Sequence, residues 1–203
     1  MTPSLPELPF ELRSFGPDGQ WSYEDGVLTG RAGARQDRFV PPGGGALDPA
    51  SDAPRLLGVA PDGDFQLIAR VNVGFAAAFD AGVLYLHVGE REWAKLCLEL
   101  SPADPTVCTV VTRGRSDDAN AFVVDGESCW LRLSRNGGAF AFHASADGEK
   151  WTFVRVFALG DAEGAAAASI GFLVQSPTGE GCEASFDRIA FRPTGLDDLR
   201  DGS

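Results

Sequence analysis

The chain is poor in the residues that most often carry metal and redox chemistry, with two histidines and four cysteines among 203 residues. Cys97, Cys108, Cys129 and Cys182 lie too far apart for a CxxC zinc knuckle or a redox pair. His87 and His143 stand in neither an HxxxH nor an HExxH spacing, so each reads as a structural or surface histidine. No serine sits in a GxSxG elbow, which leaves serine hydrolase chemistry without support. No apolar run is long enough to span a bilayer. The stretch Met1–Pro9 has neither the basic start nor the apolar core of a signal peptide, so the expected location is cytoplasmic and the thiols are expected reduced. Positive charge is also scarce, 17 Lys and Arg against 29 Asp and Glu, a net charge of −12. Nucleic acid and anionic membrane both demand a basic surface, so neither is an expected partner.

Apolar and aromatic residues are plentiful. Hydrophobic residues make up 44% of the chain and include 14 Phe and 4 Trp, enough for a core and weighted toward strand formers. From about residue 65 to 192 the pattern alternates with period two, broken by turn signals every ten to fifteen residues. Expected strands include 65–71, 82–88, 94–100, 106–112, 121–125, 129–134, 139–145, 151–159, 169–175 and 184–191. Asn136-Gly137 and Asp147-Gly148 supply the positive φ that tight hairpins need. No segment has the length and stripe of an amphipathic helix, and the Ala-rich 162–168 reads as a loop or a single turn. Residues 21–23 and 26–30 read as two short strands, and 35–62, rich in Pro and Gly, as a long ordered loop over one end. The fold class expected is all-β, an antiparallel sandwich. One domain spans 1–203, its core about 10–192, with 193–203 a tail that lies on the surface or frays.

Alternation divides the hairpin 83–99 into two faces. Leu84, Leu86 and Val88 share one face with Ala94, Leu96, Leu98 and Leu100; pairing them places Tyr85, His87, Trp93, Lys95, Cys97 and Glu99 on the other. An aromatic platform beside charged groups suits a sugar ring, whose C–H face stacks while its hydroxyls hydrogen-bond. Tyr85, His87, Trp93, Lys95 and Glu99 are therefore the candidate ligand-binding residues, against the plainer reading of a partly solvated sheet face. Sandwich glucanases carry two catalytic carboxylates on alternate positions of one strand, whereas 93–99 holds only Glu99, so no catalytic residue is assigned. Asp117 and Asp118, followed by Asn120, form an oxygen-rich stretch read as a solvated loop; they are weak candidates for a cation, and neither a metal nor a cofactor is assigned. In Ser145-Ala146-Asp147-Gly148 the Ser and Asp side chains are expected to satisfy turn amides while Trp151 anchors the next strand.

Several blocks taken together resemble one family: Trp93–Glu99, Val110-Val111-Thr112 before Ser116-Asp117-Asp118, Leu131–Arg135, Phe142–Ser145 with Asp147-Gly148 and Trp151, and Gln175–Gly179. The order and spacing are similar to those of DUF1349, the regulation of enolase protein 1-like family, over roughly residues 10–192. The resemblance implies a concanavalin A-like jelly roll. It brings no established activity, because fold alone does not fix function. The expected role is a non-catalytic carbohydrate or small-metabolite binding protein. The alternatives are an intracellular regulator acting through protein contacts, and a sugar-active enzyme whose acids converge only in the fold.

Overall fold

The computed structural model describes residues 2–17, 20–48 and 51–203. Its strands are β1 (Arg13–Phe15), β2 (Trp21–Glu24), β3 (Val27–Gly33), β4 (Arg55–Val59), β5 (Phe65–Gly74), β6 (Ala81–Gly89), β7 (Glu92–Leu100), β8 (Pro105–Arg113), β9 (Ser116–Val123), β10 (Ser128–Asn136), β11 (Ala139–Ser145), β12 (Thr152–Phe157), β13 (Ser169–Gln175) and β14 (Gly181–Arg192). One short helix, α1 (Ala162–Ala166), is capped by Asp161, whose carboxylate accepts from Gly164 N. Two seven-stranded antiparallel sheets, ordered β1-β4-β13-β6-β7-β8-β9 and β12-β11-β10-β5-β14-β3-β2, pack face to face as a sandwich.

The inner faces follow the alternation. Leu84 pairs with Leu96 and Leu86 with Ala94, and all four are fully buried against the second sheet. That sheet contributes Leu67, Val71, Leu131, Leu133, Phe140, Phe142 and Phe186 to the same core. The turn after β11 behaves as its sequence implies: Ser145 Oγ accepts from Gly148 N at 2.9 Å, and Asp147 Oδ1 accepts from Glu149 N and Lys150 N at 2.8 Å each. Gly148 takes φ +78°, where a Cβ would run into the Trp130 ring.

Two segments differ from the sequence reading. The stretch 35–62 is not wholly a loop, because β4 lies within it and pairs with β1 and β13. Asp117 and Asp118 belong to strand β9, paired with Val111 and Val110, rather than to a loop. As neighbours on a strand they point to opposite faces and do not converge on one ion. The tail lies against the outer face of the second sheet, where Asn136 Nδ2 donates to the Leu196 carbonyl at 2.6 Å and an Arg132 NH2 to that of Gly202 at 2.7 Å. His143 Nε2 is 2.9 Å from the Leu199 carbonyl, so it carries the proton there.

All four cysteines are free and buried. Burial pushes the Cys129 thiol up to about 11 and that of Cys182 to about 12. A thiol reagent is expected to leave the native protein untouched and to take up four equivalents after denaturation without reductant. Rapid labelling of the native protein would contradict this packing.

Candidate functional site

Sheet register brings Tyr85 opposite Lys95, His87 opposite Trp93 and Ala81 opposite Glu99 on the outer face of the first sheet. That face is not open. Residues 36–40 and 51–54 cross it, stitched to the sheet by Val40 N donating to Ser116 Oγ at 2.9 Å and by the Gln36–Ser176 bridge. A second apolar cluster results, in which Val40, Ala53, Leu57, Val83, Tyr85, Trp93, Cys97, Cys108 and Leu173 are buried.

The centre of this covering is Arg38, a residue that sequence reasoning passed over. Its Nε donates to the Tyr85 hydroxyl at 2.7 Å, an NH1 donates to Asp52 at 3.0 Å, and the guanidinium stacks 4.5 Å from the Trp93 ring centroid. Arg55 closes the same group with a two-pronged pair to Asp52 at 2.6 and 2.9 Å. Burial alone would raise the Asp52 carboxyl; Arg55 and Arg38 outweigh it and hold the group below its usual range. Burial pushes the Tyr85 phenol far above its ordinary value. His87, half buried, is lowered to about 4 by burial and by Arg38 and Arg55, so it is neutral near pH 7.

The five candidate residues are thus divided. Tyr85 and Trp93 are fully buried and His87 partly so, while Lys95 and Glu99 line a separate cavity of about 260 Å³. Its floor is polar. Lys95 Nζ, itself buried, donates to Asp37 at 3.1 Å and to Gln175 Oε1 at 2.8 Å. Gln175 Nε2 in turn donates to Glu99 at 3.2 Å. Its walls are apolar, formed by Phe39 and Phe79 with Val110 and Pro177, and Asp118 stands at the exposed rim. Phe79, 39% exposed, projects from the turn before β6.

The charges of this cavity are displaced from their solution behaviour. Burial raises the Glu99 carboxyl to about 7, against the pull of Lys95 and with a push from Asp118. Desolvation likewise lifts Asp118, opposed by Lys95. Lys95 is itself raised, because Asp37 and the other acids outweigh its burial, and it stays an ammonium. Perturbed groups gathered in one concavity are a recognised mark of a ligand site. Of the cavity's lining residues, Gln175 lay within a block carried by the family resemblance. Asp37 and Phe39, in the Pro/Gly-rich 35–62 stretch, and Phe79, between β5 and β6, gave no local signal.

Glu99 has a consequence for stability. A carboxyl raised in the fold holds its proton longer than in the unfolded chain, so its contribution is full below about pH 4.5 and is lost as pH rises through about 7. Wild type minus Glu99→Gln should therefore decline by roughly 1–3 kcal/mol between pH 5 and 8 in denaturant titrations. His87 and His143, both lowered to about 4, act in the opposite sense and cancel in that difference. A flat difference would place Glu99 in water.

Among the described residues no helix is long and apolar enough to cross a membrane, and no three His, Cys, Asp or Glu are grouped to hold a metal ion. The solved structure of a functionally unknown protein from Saccharomyces cerevisiae superposes with a TM-score of 0.77 at 18% identity, covering 91% of this chain and 98% of that one. A xylan beta-1,4-xylosidase from Bacillus halodurans C-125 superposes with a TM-score of 0.64 at 11% identity, over 94% of this chain but 41% of the enzyme. At such identities the likeness is one of fold, a β-sandwich that forms part of larger glycosidase chains. In sequence, the chain is 26% identical over 106 residues to regulation of enolase protein 1 of Saccharomyces cerevisiae, a match covering 52% of this chain and about half, 54%, of the relative. The family model described as protein of unknown function (DUF1349) matches residues 15–194, and the chain belongs to that family.

Proposed function

We propose that the chain is a non-catalytic binding protein for a small hydroxylated ligand, a sugar or a metabolite of similar size, held in the Lys95–Glu99 cavity. The observation that carries this reading is the hydrogen-bonded chain Asp37–Lys95–Gln175–Glu99 laid between Phe39 and Phe79. Donors and acceptors alternate along that floor, as hydroxyls require, while two aromatic walls offer surfaces for a C–H face. A volume of about 260 Å³ lies just under the range for drug-sized ligands and favours a single ring over an oligosaccharide. Lys95 and Glu99 then touch the ligand; Tyr85 and Trp93 act from behind, by holding Arg38 and the segment that carries Asp37 and Phe39. Calorimetric titration with monosaccharides and polyols should find dissociation constants on the order of 1 mM to 1 μM. Phe79→Ala, at an exposed position, should weaken binding by about tenfold with little change in melting temperature. Silence across the panel, or unchanged affinity in Phe79→Ala, would remove the cavity as the site.

A second reading has its own observation. Asp37, Glu99 and Asp118 come from three different elements to one cavity, and Glu99 near 7 has the poise of a general acid. Release of nitrophenol from aryl glycosides, abolished in Glu99→Gln, would turn the binding protein into an enzyme.

A further inference from the structure

Resting on the binding reading above, we propose that the ligand carries a positive charge, and that the preferred class is an amino sugar or another hydroxylated amine. Three carboxyl groups, Asp37, Glu99 and Asp118, face the cavity against one ammonium, Lys95. Lys95 is already engaged by Asp37 and Gln175, so among the described residues Glu99 and Asp118 have no cation bonded to them. Arg38 and Arg55, the nearest other buried cations on this face, are turned to Asp52 and Tyr85 instead. Arg155, from the opposite sheet, is spent on Asp117 on the other side of β9.

A bare metal ion does not answer this excess, because among the described residues no three such groups are close enough to share one. An organic cation does. Its ammonium can lie between Glu99 and Asp118 while its body rests against Phe39 and Phe79, whose ring faces also attract positive charge. The shift of both carboxyls toward their neutral forms is the strain that such a ligand relieves. The net charge of −12 adds a long-range field of the same sign, which draws cations toward the surface.

The test compares ligands alike in shape and different in charge. Glucosamine is titrated against glucose, and galactosamine against galactose, with N-acetylglucosamine as the amine made neutral. At pH 7 and low salt at least one amine should bind about tenfold more tightly than its hydroxyl partner, the gain of one charge-assisted hydrogen bond. N-acetylation should erase that gain, and Asp118→Asn should shrink the ratio of amine to hydroxyl affinities. Neutral sugars that bind as well as the amines would overturn the cationic preference and leave the binding reading standing. If neither class binds, both fall.

Discussion

Replacing Trp93 by alanine should lower the melting temperature by roughly 6–20 °C. Large-to-small changes at a buried indole cost about 3–5 kcal/mol, and a chain of this length loses roughly 2–4 °C per kcal/mol. The ring is fully buried, sits in the second apolar cluster and carries the Arg38 guanidinium on its face. Its loss therefore opens a void and also removes the support of a buried cation. The segment 36–40 loosens with it, so ligand affinity should fall in the same variant, although Trp93 touches no ligand. Trp93→Phe should recover much of both. A shift under about 2 °C in Trp93→Ala, within the usual scatter of surface substitutions, would place the indole at the surface and return it to the ligand.

Lys95→Met should cost on the order of 3 kcal/mol, because removing one member of a buried charge group strands the others. The stem is preserved, so the loss is of charge and of two hydrogen bonds rather than of volume. Asp37, Glu99 and Asp118 then face one cavity with no cation among them, and the opposition that Lys95 supplies to the desolvation of Glu99 and Asp118 is gone. Protonation relieves the repulsion. The destabilisation should accordingly be smaller at pH 5 than at pH 8, when measured by denaturant titration of variant and wild type side by side. Equal costs at both values would mean that Lys95 serves only to fill space. Ligand binding should drop by more than tenfold, a consequence that a purely packing role does not entail.

Most strands and both faces of the central hairpin were written in the local pattern. Period-two alternation in 83–99 placed Leu84, Leu86, Leu96 and Leu98 inward and Tyr85, Trp93, Lys95 and Glu99 outward, and the register agrees residue for residue. Turn chemistry was equally local, since Ser145 and Asp147 bond amides within three positions of themselves. What local pattern leaves undetermined is the environment of a face. Whether Trp93 meets water or protein depends on Arg38 reaching Tyr85 across 47 positions and Val40 reaching Ser116 across 76. Contacts of that separation leave no periodicity behind. The same holds for strand pairing at the margins. Ser116–Asn120 is almost wholly polar and reads as a loop, yet it becomes strand because β8 offers it a partner edge. Arg55–Val59 is a short apolar run after a proline, and it becomes strand because β1 and β13 flank it. The cavity is the product of these long-range choices. Alternation along β7 put Lys95 and Glu99 on one face, while Asp37, Phe39, Phe79, Asp118 and Gln175 were brought to that face only by long-range pairing and by the segment that covers the sheet. Sequence alone determined which side chains share a face, because the pleat repeats every two residues; tertiary structure decided what covers that face, because the cover comes from far along the chain.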